Sequence, residues 1–193
     1  LLVTGHYGDW DAAGILVASH APITVLAEAV TDERINRLLQ SQRQAMGMSV
    51  LMVEESLRPM MRLLRDGGIL GTPIDRPVPP GEGVPVTFFG RTAYVPRGLG
   101  ALAAKLGCAI VPGFVSYDAK GQFVLRAFPA VTITPSGDTD ADIRRATQVM
   151  FDALEVMIRE DPTQWYMFRS FWPAADAVPH STPPVAVQAA VHE

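Results

Sequence analysis

Short apolar runs alternate with amphipathic segments along most of the chain. Residues 1–4 have the composition of a buried strand, Gly5 and Gly8 permit a sharp turn, and the apolar spacing of residues 12–19 indicates a helix after the turn. Further strands are predicted at 23–29, 50–53, 69–74, 85–89, 109–117 and 122–133, and further helices at 32–46, 56–66, 96–106 and 140–159. This alternation predicts an α/β fold, a mixed sheet flanked by helices.

The composition indicates one domain and excludes several kinds of function. The chain has 193 residues, of which 48% are hydrophobic, and we assign residues 1–173 to the domain. Residues 174–193 lack periodicity and are predicted to be a disordered tail. A formal net charge of −4 and the lack of any nucleic-acid motif argue against nucleic-acid binding. The single cysteine, Cys108, excludes an internal disulfide, and its apolar surroundings are unlike those of a nucleophile.

The candidate chemistry begins in the first turn, where His6 precedes Asp11 by five residues. A histidine held by a carboxylate keeps one tautomer, and its other nitrogen is then free to take a proton from a hydroxyl group. We therefore predict that His6 is a general base and that Asp11 orients it. The alternative is a loop histidine next to an ordinary first-turn charge, because this spacing is common by chance.

Three further polar residues lie next to apolar segments. Asp75 and Arg76 follow the strand predicted at 69–74, which puts them at the same sheet edge as His6 if the two strands are parallel. Arg43 shares a helical stripe with Leu39, so its side chain is expected to turn inwards and to need an anion. The alternatives for Arg43 are a helix arginine that extends its charged end to solvent and a structural ion pair.

Several sequence blocks, in order, resemble those of a known enzyme family. They are T-G-H-Y-G-D-W-D, T-V-L-A-E-A-V, Q-S-Q-R-Q-A-M-G-M-S-V-L, I-D-R-P, V-P-V-T-F-F-G-R, A-A-K-L-G-C-A-I-V-P and P-T-Q-W-Y-M-F. Together they resemble the lipid A biosynthesis acyltransferases, with an H-x-x-x-x-D/E motif, and most closely the branch of phosphatidylinositol mannoside acyltransferases. The resemblance implies a glycerolipid-acyltransferase-like sandwich and acyl transfer from a thioester donor to a glycolipid hydroxyl.

The resemblance also implies roles for individual residues. His6 and Asp11 match the catalytic motif, and Arg43, Asp75, Arg76 and Glu82 are the candidates for substrate binding. An acidic residue between 75 and 88 is functional in the mannoside branch, and Asp75 is preferred to Glu82 because the proline-rich loop around Glu82 departs from the family pattern. The donor is expected to be acyl-CoA or an acyl carrier protein, with no other cofactor and no metal ion.

The setting of the enzyme is predicted from the same resemblance. The chain opens within a strand and without Met, which suggests that an N-terminal portion is missing, and members of the family often carry a membrane anchor there. A peripheral or anchored location on the cytoplasmic face of the cell membrane is expected.

Two other functions remain open: a thioester hydrolase that activates water, and a non-catalytic module that binds acyl chains. The aromatic residues Phe88, Phe89 and Tyr94 are expected either in the core or at an acyl pocket.

Overall fold

The computed structural model of the protein describes residues 1–53 and 57–174. The predicted tail therefore lies outside the described residues, apart from Ala174. The strands are β1 (Leu2–Thr4), β2 (Ile23–Ala27), β3 (Met48–Met52), β4 (Ile69–Pro73), β5 (Val84–Phe88), β6 (Arg91–Val95), β7 (Val111–Tyr117) and β8 (Phe123–Ala127). The helices are α1 (Trp10–Ala18), α2 (Glu33–Ala45), α3 (Leu57–Arg65), α4 (Gly98–Leu106) and α5 (Thr139–Glu160), and a 3₁₀ helix (Pro162–Gln164) follows α5.

The main sheet is mixed, as predicted. Its strand order is β3-β2-β4-β1-β7-β8, in which the first five strands are parallel and β8 pairs antiparallel with β7. Strand β1 lies in the middle, between β4 and β7, so the turn after it opens at the centre of the carboxyl edge. Sites form at this edge in open α/β sheets, because loops from several parallel strands meet there.

Helices cover both faces of the sheet. Leu70 of β4 belongs to the main hydrophobic core together with Leu154 of α5, whereas its neighbour Gly71 lines a cavity beside α1. Neighbouring strand residues thus serve opposite faces, which follows from the period of two in a strand. Met60 of α3 is 4% exposed and lies in the core, which confirms the interpretation of its helix as amphipathic.

The strand prediction was wrong in two places, because one predicted strand is too long and β6 was not predicted. The strand predicted at 122–133 ends at Ala127, because Pro129 cannot donate a ladder hydrogen bond. Strands β5 and β6 form a separate hairpin that is joined to α5 through Gln148, whose side chain bonds both backbone groups of Thr87. Phe88 is fully buried in the core, so the core interpretation of this aromatic residue is confirmed.

The helices of the described ranges 1–53 and 57–174 include none that is both long and apolar enough to span a bilayer.

The turn between β1 and α1 requires glycine at position 8. Gly8 has φ +57, and a Cβ built on it would lie 2.1 Å from the carbonyl oxygen of Val115. The close approach is part of how the turn is held, since the next residue, Asp9, donates its backbone N–H to that same oxygen at 2.8 Å. An alanine at this position must therefore move the turn away from β7.

We predict that Gly8→Ala lowers the free energy of unfolding by more than about 2 kcal/mol. The cost of a left-handed backbone conformation and the cost of the clash with the Val115 carbonyl both contribute. Gly90→Ala is the matched control, because Gly90 also has a positive φ (+71) but has nothing within 4 Å of the added Cβ. Gly90→Ala should lower the free energy of unfolding by about 1 kcal/mol. Urea denaturation of the three proteins measures the difference, and equal losses would show that the turn tolerates displacement.

Candidate active site

His6 lies on the turn that joins β1 to α1. The backbone on either side of it is fixed: Tyr166 donates its N–H to the carbonyl of His6 at 2.8 Å, and Gly8 donates to the carbonyl of Gln164 at 2.8 Å. The imidazole itself remains 39% exposed. The turn thus presents a rigidly held histidine whose ring is open to a ligand.

Asp75 is the carboxylate that contacts His6. It follows β4, which is parallel to β1 and hydrogen-bonded to it, and Ile74 extends that pairing by donating to Thr4 at 2.9 Å. The Asp75 side chain is fully buried, and its Oδ1 lies 2.8 Å from Nδ1 of His6. The backbone N–H of His6 adds contacts of 3.0 and 2.9 Å to the two carboxylate oxygens. The predicted meeting of these residues at one sheet edge is confirmed.

The predicted pairing of His6 with Asp11 is wrong. Helix α1 begins after Asp9, whose carboxylate caps the helix by accepting from the N–H of Ala12 at 2.8 Å. Asp11 is therefore inside the first helical turn, and its two oxygens accept from Nε and Nη2 of Arg43 at 2.8 and 3.2 Å. The partner that orients the imidazole is Asp75, which the sequence analysis had placed among the substrate-binding candidates.

The contact with Asp75 determines the chemistry available to His6. An ionised carboxylate only accepts hydrogen bonds, so Nδ1 of His6 carries a proton and donates a hydrogen bond to Asp75. In the neutral ring Nε2 then has a free lone pair. This is the arrangement of a general base supported by a buried anion.

Arg43 turns inwards, as its helical position predicted. Its side chain is 17% exposed, and that of Asp11 is 41% exposed. The two-pronged contact joins α2 to α1, and both residues line the same cavity as His6. The structure therefore supplies the acidic partner expected for Arg43, in the form of a structural ion pair.

Arg76 and Glu82 have different positions relative to this cavity. Arg76 forms an ion pair with Glu28, which lines the cavity, and both side chains are 50% exposed. Glu82 is exposed in a turn closed by its own N–H and the carbonyl of Pro79, just before the hairpin. Within the described residues, the cavity lining includes Glu28 but not Glu82.

The cavity measures about 370 Å³ and runs between α1 and the sheet. Its walls are mostly apolar, and its charged or ionisable groups are at one end of the sheet, where the parallel strands finish. The apolar walls include Leu2, Val17, Val25, Val111, Leu125 and Ala127. The charged or ionisable groups are His6, Asp11, Glu28 and Arg43. Phe88, Phe89 and Tyr94 are not among its described lining residues, so the predicted aromatic acyl pocket is not at this site.

A second, smaller cleft of about 300 Å³ adjoins the cavity and shares Trp10 and Asp11 with it. Tyr117 and Tyr166 form its aromatic sides, and the hydroxyl of Tyr117 donates to Oδ2 of Asp9 at 3.2 Å. Desolvation and the charge of Asp9 raise the pKa of Tyr117, so its hydroxyl stays protonated at neutral pH. The cleft thus combines aromatic rings with a fixed carboxylate.

Two residues at the site were missed as candidates in the sequence analysis. Glu28 lies in the T-V-L-A-E-A-V block, and Trp165 lies in P-T-Q-W-Y-M-F. The indole Nε1 of Trp165 is 2.8 Å from Oδ2 of Asp75. Both blocks carried the family resemblance, and that resemblance could have pointed to these residues. Neither residue has a local sequence pattern that marks it as part of an active site.

Comparison with known proteins found a family match and a similar enzyme. Over residues 1–173 the chain matches the family described as bacterial lipid A biosynthesis acyltransferase. It is also similar to a phosphatidylinositol mannoside acyltransferase of Mycolicibacterium smegmatis (strain ATCC 700084 / mc(2)155), with 31% identity over 177 residues. The match covers 89% of this chain and 56% of that protein, so the chain spans about half the length of the curated relative.

The Asp11–Arg43 pair should stabilise the fold modestly. We predict a coupling energy of about 1 kcal/mol, the upper end for partly exposed pairs, because the contact is two-pronged and the guanidinium is mostly buried. Urea denaturation of Asp11→Asn, Arg43→Gln and the double variant gives the coupling. Arg34→Gln with Asp32→Asn is the control, because that pair is more exposed. The prediction would be contradicted if the losses in free energy of unfolding of Asp11→Asn and Arg43→Gln simply added up in the double variant.

Proposed function

Since the chain belongs to the bacterial lipid A biosynthesis acyltransferase family, we propose that it moves a fatty acyl group from a thioester donor to a hydroxyl group of a glycolipid. His6 is the general base of this reaction and Asp75 holds and stabilises its imidazole. The chain covers only part of the length of its relative, so the activity, the substrates and the partners are all parts of this proposal.

The observation that carries the proposal is the position of the His6–Asp75 pair. The pair lies at the charged end of a cavity whose walls are apolar, so a base and a site for an aliphatic chain are next to each other. A hydroxyl group needs a base to become a good nucleophile, and a positioned histidine typically contributes 10²-fold to 10⁴-fold to such a step.

The reaction proceeds in two steps without a covalent enzyme intermediate. First, the hydroxyl oxygen of the acceptor attacks the thioester carbonyl carbon while Nε2 of His6 takes the hydroxyl proton; a C–O bond forms and the carbonyl electron pair moves onto oxygen. Then the carbonyl re-forms, the C–S bond breaks, and the imidazolium returns its proton to the leaving thiolate. The Asp75 carboxylate stabilises the imidazolium between the two steps.

The apolar cavity is the proposed site for the acyl chain of the donor. Each methylene group that leaves water for the walls of α1 and the sheet gains roughly 0.8 kcal/mol. With the acyl chain in this cavity, the thioester carbonyl is proposed to lie at the charged end, near His6. The donor is proposed to be acyl-CoA or an acyl carrier protein.

The acceptor is proposed to enter through the adjoining cleft of Trp10, Tyr117 and Tyr166. Aromatic rings and a carboxylate suit the mixed apolar and hydroxyl surface of a sugar. The relative is named for its action on phosphatidylinositol mannosides, and we propose an acceptor of that class, with lipid A precursors as the second possibility. Because such acceptors are bilayer lipids, we also propose that the enzyme acts at the cytoplasmic face of the cell membrane.

We predict that His6→Ala lowers the rate of acyl-lipid formation by about 10²-fold to 10⁴-fold, because the acceptor hydroxyl loses its base. His20→Ala is the matched control: His20 is an exposed histidine that bonds Ser19 and the carbonyl of Leu16, and its replacement should leave the rate unchanged. The chain is incubated with labelled palmitoyl-CoA or palmitoyl-acyl carrier protein and with phosphatidylinositol mannosides or lipid A precursors, and products are followed by mass spectrometry.

The other outcomes identify the competing functions. Free fatty acid that forms regardless of the acceptor, and that disappears with His6→Ala, would replace the proposal by a thioester hydrolase. Acyl-chain binding that survives His6→Ala, with no turnover from any donor, would replace it by a binding module.

A further inference from the structure

Trp165 contacts the active-site carboxylate from a part of the chain far from His6. Its indole Nε1 donates to Oδ2 of Asp75 at 2.8 Å, while Oδ1 accepts from Nδ1 of His6 at 2.8 Å. The two side-chain donors thus use different oxygens of one carboxylate. An indole N–H can only donate, so it favours the ionised carboxylate and exchanges no proton with it.

The position of Trp165 is fixed by its backbone. Residues 161–166, which we call the closing segment, follow α5. In this segment Trp165 forms an antiparallel bridge with Tyr7, and Tyr166 donates to the carbonyl of His6 at 2.8 Å. The closing segment therefore runs against the same turn that carries His6, and the two are held in register.

The indole ring is also fixed by packing. Its centroid lies 5.8 Å from that of Phe88, 5.6 Å from Phe171 and 6.3 Å from Trp172, all in edge-to-face contact. Phe88 and Phe171 are almost fully buried. A ring held on several sides keeps its N–H pointed in one direction, which is what a fixed hydrogen bond to Asp75 requires.

We propose that Trp165 is a positioning residue for the reaction and acts on His6 through Asp75. This inference rests on the proposed function for its kinetic consequences. The indole has two effects: it prevents rotation of the carboxylate, so that Oδ1 stays in line with Nδ1 of His6, and it draws negative charge towards Oδ2, so that Asp75 stabilises the imidazolium less strongly.

The substitution Trp165→Phe separates these effects from packing, because it keeps an aromatic ring and removes the N–H. Trp172→Phe is the matched control: Trp172 belongs to the same aromatic cluster, but its Nε1 donates to the backbone carbonyl of Phe88 at 3.0 Å. Both variants remove one indole N–H and a similar packing volume. Only Trp165→Phe changes the donors to Asp75.

We expect Trp165→Phe to lower kcat about tenfold with little change in KM, the scale of one hydrogen bond to a charged group. The acidic limb of the pH–rate profile should move to higher pH, since a carboxylate with one donor fewer stabilises the imidazolium more. Trp172→Phe should change neither. Equal behaviour of the two variants in kcat and in the pH profile would overturn the proposal.

A substrate-free measurement separates this inference from the proposed function. The ring protons of His6 are followed by NMR across pH in wild type, Trp165→Phe and Trp172→Phe. A titration midpoint that rises only in Trp165→Phe supports the coupling even if no acyl transfer is found. A midpoint that is the same in all three proteins overturns it whatever the activity.

Other charged or titratable groups near His6 are the same in all of these proteins. The Asp11–Arg43 pair and Glu28, which is paired with Arg76, line the cavity with His6, and Asp9 and Tyr117 lie in the adjoining cleft. Differences between the variants therefore do not originate from them.

If Trp165→Phe fails to fold, the wild-type protein supplies the test. With ¹⁵N-labelled indoles, the Nε1–H signal of Trp165 should shift as His6 titrates and should lose that response in Asp75→Asn, whereas the signal of Trp172 should not respond. A Trp165 signal that is insensitive to the titration in wild type would overturn the proposal.

Discussion

The burial of one carboxylate determines how the active-site region is built. Asp75 is 1% exposed, and an ionised carboxylate without partners in such a place would cost several kcal/mol. Its hydrogen-bond donors are the backbone and ring of His6 and the indole of Trp165. These come from segments 69 and 90 residues away in sequence, so the carboxylate is satisfied only when the β1 turn and the closing segment are both in place.

The sheet brings these segments together. Parallel pairing of β1 with β4 places His6 and Asp75 on one edge, and β7 on the other side of β1 supplies the carbonyl of Val115 that fixes the turn through Asp9. The closing segment then completes the arrangement after α5. The same edge opens on one side to an apolar cavity and on another to an aromatic cleft, and the proposed meeting of an acyl donor and a sugar acceptor at His6 rests on this arrangement.

Sequence patterns predicted the parts of this arrangement that depend on the spacing of apolar residues and on the positions of polar residues next to them. Alternating strands and helices indicated the α/β fold, the helical position of Arg43 indicated an inward side chain, and the apolar run before Asp75 put that residue at the right edge. The partner of His6 was predicted wrongly because the helix begins at its cap, Asp9, and so carries Asp11 round towards Arg43 on α2. Trp165 could not be predicted, because the direction of its N–H depends on packing against Phe88 and Phe171, and no local pattern encodes such contacts.

The central claim is that His6 and Asp75 act as one unit in acyl transfer. The most direct test is the rate of acyl-lipid formation by His6→Ala, Asp75→Asn and the double variant, with Glu33→Gln as a control carboxylate that is exposed in the first turn of α2. If the two residues act as a unit, the double variant has the same residual rate as His6→Ala, since Asp75 has no role without the imidazole. A double variant that is slower than His6→Ala by the full factor lost in Asp75→Asn alone would show that the two residues act independently, and would contradict the account.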